Sequence, residues 1–144
     1  MGGEHAHYVQ GEERVSFKLN ETRIKPLICY DLRFPVWSRN TDDYDVLVYV
    51  ANWPDSRRDV WQTLLKARAI ENQCYVIGVN RVGKDQSNKY AGDSVVIGPK
   101  GTALLECEPY EECVGSIELD LNALHAFRQK FPVWQDRDEF TIGL

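Results

Sequence analysis

An α/β fold follows from three observations. The run Asp45-Val46-Leu47-Val48-Tyr49-Val50 is apolar on both faces, as strands buried within a parallel sheet are. Tyr75-Val76-Ile77-Gly78-Val79-Asn80 reads as a second buried strand. Between them, Trp61, Leu64, Leu65 and Ala69 fall on one face of an amphipathic helix. Strand, helix and strand in succession form an α/β unit. The 144 residues suit one domain able to bury a core, and 43% hydrophobic with 27% charged residues is ordinary for a globular chain.

Taken in order, residues 13–19 alternate as a half-buried strand, and Asn20-Glu21 turns the chain into a second strand over 23–28. That apolar run stops at Cys29, where residues 30–34 open a short helix, followed by another short helix and loop over 33–39. The 45–50 strand ends in Ala51-Asn52-Trp53-Pro54-Asp55. Loops at the carboxyl ends of strands are where open α/β sheets bind ligands. Asp59 or Ser56 caps the helix that runs to Asn72. Residues 83–92 are polar and loop-like, and Gly98-Pro99-Lys100-Gly101 turns between antiparallel strands over 94–97 and 103–106. Residues 114–120 alternate as a further strand, and 121–130 fit a short helix stopped by Pro132. The chain shows no internal repeat and no linker.

A formal net charge of -5 argues against nucleic acid or an anionic membrane surface as the main partner, since both are bound by neutralising phosphates with Lys and Arg. The basic pair Arg57-Arg58 reads as a solvated loop. No apolar run approaches a membrane span, and Met1-Gly2-Gly3-Glu4-His5 is not a signal peptide. The cysteines Cys29, Cys74, Cys107 and Cys113 lack CxxC spacing, so no zinc or thioredoxin-like motif is indicated; reduced thiols in a cytoplasmic protein are the simplest reading. The pair His5 and His7 lacks a third metal partner, and no cofactor is implied.

Cys29 is the residue that points to chemistry. A thiol at a strand-to-helix turn leaves the sheet at a sharp bend, near unpaired backbone N–H groups and the positive end of a helix dipole. Such a place favours thiolate. The N–H groups around Cys29 and Tyr30 are also placed to bind an oxyanion formed when sulfur attacks a carbonyl. An inert core cysteine is the alternative. Asp31 and Arg33, bracketing Leu32, are two charges that need a partner or a ligand.

The string Ile28-Cys29-Tyr30-Asp31-Leu32-Arg33-Phe34-Pro35 resembles the nucleophile motif of the nitrilase superfamily of carbon-nitrogen hydrolases. Tyr49-Val50-Ala51-Asn52-Trp53-Pro54 and Ala67-Arg68-Ala69-Ile70-Glu71-Asn72-Gln73 are similar to two further motifs of that superfamily, in the right order. With Arg81-Val82-Gly83 and Phe131-Pro132-Val133-Trp134, they resemble the omega-amidase branch most closely. The resemblance covers essentially the whole chain.

It implies an α/β fold forming the C-terminal portion of an αββα four-layer sandwich. Residues 1–144 would be the C-terminal part of the hydrolase domain, with roughly two-fifths of it absent, judged by ordinary domain sizes. It implies Cys29 as nucleophile and Glu4 as a second active-site glutamate that bonds the catalytic lysine. The base glutamate and the lysine themselves find no match; Lys25 and Lys66 are misplaced for the role. Arg33 is expected to bind a substrate carboxylate, or else to pair with Asp31. Trp53 is expected to cover the acyl chain, or else to be core, and Asn52 to position the thioester. The expected substrate is a small-molecule amide, a short dicarboxylate monoamide such as alpha-ketoglutaramate, and the expected assembly is a homo-oligomer. Two other readings stand beside this one: a Cys-His hydrolase pairing Cys29 with His125 or His7, and an inactive fragment serving as an oligomerisation or regulatory subunit.

Overall fold

A computed structural model describes residues 6–9, 11–139 and 141. Its main sheet has six strands in the order β1-β2-β3-β4-β7-β8. These are β1 (Phe17–Leu19), β2 (Thr22–Ile28), β3 (Val46–Ala51), β4 (Tyr75–Asn80), β7 (Val95–Ile97) and β8 (Ala103–Glu106), while β5 (Val82–Lys84) and β6 (Lys89–Ala91) form a separate antiparallel hairpin. The central strands β2, β3 and β4 run parallel, and β1, β7 and β8 are antiparallel additions at the edges. The expected α/β alternation is therefore present, with the short α1 (Pro35–Ser38) after β2 and α2 (Arg58–Asn72) crossing from β3 to β4.

One face of the sheet is closed by α2. Trp61, Leu65 and Ala69 are fully buried against Leu47, Tyr49 and Val76. The helix sits close because β4 carries Gly78: a Cβ there would lie 2.5 Å from Leu65 Cδ1 and 2.9 Å from Trp61 Cζ2. The helix ends at Gln73, whose left-handed φ of 46° turns the chain directly into β4. Neither expected cap is used. Arg57 is the N-cap residue without a side-chain bond, and Asp59 sits inside the first turn, where its charge suits the helix dipole.

The opposite face is covered only at one end. The last helix, α3 (Leu121–Lys130), is capped by Asp120, whose Oδ1 accepts from Ala123 N at 2.8 Å. Its Leu124 packs on Val46 and Tyr75, at the amino ends of β3 and β4. Further along, Ile28, Val50 and Val79 stand in register on neighbouring strands and are 66%, 48% and 47% exposed. The fully buried β3 read from sequence is thus corrected at Val50, since Leu124 of α3 packs at the other end of the strand, on Val46.

Four further expectations change. The strand over 13–19 shortens to β1, and the loop over 83–92 holds the β5–β6 hairpin. Residues 114–120 form no strand, although they alternate. Cys107 and Cys113 are joined in a disulfide, so the reduced-thiol reading is corrected there. Among the described residues no helix is long and apolar enough to cross a membrane, and no group of His, Cys, Asp or Glu is arranged to hold a metal.

Candidate active site

The carboxyl ends of the parallel strands bring the expected residues together. The register aligns Ile28 with Val50 and Ala51 with Asn80, so Cys29, Asn52, Trp53 and Asn80 all leave the same end of the sheet. Cys29 has φ +43°, the left-handed region that L-residues other than Gly, Asn and Asp seldom adopt. This bend stops β2 and starts a five-residue 3-10 helix, Cys29–Arg33. The helix is shorter and tighter than a dipole argument assumes, so what it offers at Cys29 is local N–H groups rather than a macrodipole. Cys29 is half-buried and packs on the main core.

Two side chains hold this elbow. Asp31 Oδ2 accepts from Ile28 N at 2.9 Å, closing the turn back on the strand. Arg68, almost fully buried on α2, donates from Nη2 to Leu32 O at 2.6 Å and from Nη1 to Glu71 at 3.0 Å. Arg68 was read from sequence only as part of a helical motif; a charge on the buried face of an amphipathic helix was the signal of a larger role. Tyr30 is the second residue of the 3-10 helix, with its ring exposed and edge-on to Phe34 at 5.2 Å.

Arg33 and Asp31 do not pair, since Asp31 is engaged with Ile28 N. Among the described residues no carboxylate lies within ion-pair range of Arg33; its guanidinium carbon stands 5.1 Å from the centroid of the Trp53 ring. Trp53 itself is 4% exposed and packs against Trp61 at 5.6 Å, within the core that its alternative reading expects. Asn52 is exposed at the end of β3. Glu4 lies outside the described residues. Asn80, which sequence reading took only as the end of a strand, is buried and ties the Trp53 loop to Gly92.

The alternative base His125 is at the wrong end. Its Nε2 lies 3.3 Å from Asp45 Oδ1, just before β3 begins, while Cys29 lies beyond the strand's other end. About five residues of strand, roughly 16 Å, separate the two. His7 is in an exposed segment.

The sequence profile described as carbon-nitrogen hydrolase matches residues 3–129. The chain belongs to the carbon-nitrogen hydrolase family. It is 52% identical over 143 residues to Omega-amidase YafV of Escherichia coli, covering 99% of this chain and 56% of that protein. It is 42% identical over 135 residues to 2-oxoglutaramate amidase of Bacillus subtilis, covering 92% of this chain and 52% of that protein. Among solved structures, a CN-hydrolase superfamily protein from Xanthomonas campestris, with an arsenic adduct in its active site, superposes with a TM-score of 0.93 at 44% identity. That match covers 99% of this chain and 57% of the other. The chain thus spans just over half the length of these hydrolases, and the sheet with its helices is their fold.

Proposed function

We propose that this chain carries the nucleophile of an omega-amidase, a hydrolase that releases ammonia from short dicarboxylate monoamides such as alpha-ketoglutaramate. The observation that carries the reading is the elbow: a thiol at φ +43° at the end of a parallel strand, with Arg33 clear of ion pairs among the described residues. The named activities of the Escherichia coli and Bacillus subtilis relatives support the same substrate class.

In this reading the Cys29 thiolate attacks the amide carbonyl and a tetrahedral intermediate forms. The backbone N–H of Tyr30 receives the oxyanion. The C–N bond breaks as a proton reaches the nitrogen, because an amine cannot leave as its anion. Ammonia departs, and water hydrolyses the thioester to free acid and thiol. Arg33 receives the distal carboxylate and Asn52 positions the thioester. The glutamate base and the lysine implied by the family resemblance are contributed, in this proposal, by sequence outside these 144 residues, with Glu4 supporting that lysine.

The test is ammonia release from alpha-ketoglutaramate and succinamate by the longer hydrolase that holds this segment together with that glutamate and lysine, with Cys29→Ala as control. Release that disappears in the control supports the reading. Release that persists in Cys29→Ala overturns it.

A further inference from the structure

Trp53 was expected to touch substrate, yet its surroundings give it different work. Each of its polar groups is held. Its N–H donates to Asn80 Oδ1 at 2.7 Å, its carbonyl accepts from Asn80 Nδ2 at 3.1 Å, and its indole Nε1 donates to Arg57 O at 2.8 Å. Asn80 Nδ2 also donates to Gly92 O at 2.8 Å, and the Asn80 backbone exchanges bonds with Ser94 Oγ at 3.0 and 3.2 Å. The ring is therefore locked, with 4% exposure left and Trp61 against it. Upon this fixed ring rests the Arg33 guanidinium, 5.1 Å from its centroid.

Resting on an aromatic face constrains a guanidinium's position without consuming its in-plane N–H donors. An ion pair with Asp31 would have consumed them, but Asp31 is turned to Ile28 N. Building on the reading of Arg33 as the carboxylate binder, we propose that Trp53 and Asn80 are positioning residues that aim Arg33 at the substrate's distal carboxylate. Asn80 fixes Trp53, and Trp53 fixes Arg33.

The experiment compares alkylation of Cys29 by 5-chloro-4-oxopentanoate and by its methyl ester, followed by mass spectrometry of the Cys29 peptide. In both, sulfur displaces chloride from the same chloromethyl ketone. The ratio of the two rates cancels the reactivity and access of the thiol and reports only the carboxylate. It also needs no turnover.

Wild type should prefer the acid by about tenfold, the value of one charge-assisted contact. Arg33→Met should bring the ratio near one. Asn80→Ala and Trp53→Leu should each lower it about threefold, whereas Trp53→Phe should keep most of it. Arg33→Lys, on a half-exposed side chain, retains the fold and the charge but lacks the plane that rests on the ring, so it should also lose about threefold. Equal ratios in wild type and Arg33→Met overturn the reading of Arg33 beneath this proposal. A ratio lost in Arg33→Met but kept in Asn80→Ala, Trp53→Leu and Arg33→Lys overturns the positioning role alone.

Discussion

At Cys29 a single dihedral angle carries much of the site. An L-residue at φ +43° stores strain, and the Asp31 carboxylate on Ile28 N helps to hold it. Cys29→Gly should accordingly be more stable than Cys29→Ala by about 1 kcal/mol, because glycine adopts this angle without steric cost. Urea unfolding of the two variants decides this, and equal midpoints would mean that the elbow is unstrained. Asp31→Ala removes the acceptor of Ile28 N and should cost about 1 kcal/mol, while Asp31→Asn keeps an acceptor oxygen and should cost less. The same unfolding measurement orders the two. The turn at Cys29 and the Asn52-Trp53 loop were legible in place because each follows a strand that stops. Asn80 and Arg68 were not, because a polar residue in a buried run does not announce its partner. Those partners are a loop 27 residues away for Asn80 and the Leu32 carbonyl 36 residues away for Arg68.

Among the elements, the packing of α2 on β4 depends on the absence of one methyl group. Gly78→Ala would push a Cβ into Leu65 and Trp61, both fully buried. The expected cost is about 1–3 kcal/mol, read as a lowered urea midpoint at unchanged slope. An unaffected midpoint would show that α2 slides without penalty. Boundaries are legible where a turn or cap signal marks the end, as at Gly98-Pro99-Lys100-Gly101 before β8 and Asp120 before α3. Residues 114–120 show the converse. Their alternation has no strand to pair with, and Gly115 passes over the Leu105 side chain instead, where an added Cβ would lie 2.8 Å from it. A period of two is a pattern of side chains; a strand needs a neighbour.

Across the whole molecule, Asp45 joins elements far apart in sequence. Almost fully buried, it accepts from Arg23 Nε at 2.9 Å and Nη2 at 2.8 Å, and from Arg128 Nη1 at 2.8 Å, with His125 at 3.3 Å. Arg128 also donates to Tyr44 O and Gln73 O, which fastens α3 to the start of the sheet. Burial pushes the Asp45 carboxyl up, but the hydrogen bonds and charge of Arg23, with the charge of Arg128, outweigh it and hold the group well below the usual carboxylate range. A depressed folded pKa means that this stability is present above the unfolded value of about 4 and is lost as pH falls through the folded one. Asp45→Asn should therefore cost about 3–5 kcal/mol at pH 7 by leaving buried arginine charge uncompensated. The gap from wild type should narrow below about pH 4. Urea unfolding at a series of pH values tests both, and a gap independent of pH would mean that the carboxylate charge is not what matters.

The residues alone determined the α/β alternation, the thiol at the end of a strand and the family to which its motifs belong. These are local facts, written in periodicity and in short ordered strings. Tertiary structure decided what each side chain touches: Trp53 lies under Arg33, and His125 lies on Asp45 rather than near Cys29. It also decided that Ile28, Val50 and Val79 stand partly uncovered while the other sheet face is closed. Burial and partnership are properties of pairs brought together by folding, and hydrophobic pattern specifies a face without specifying what meets it.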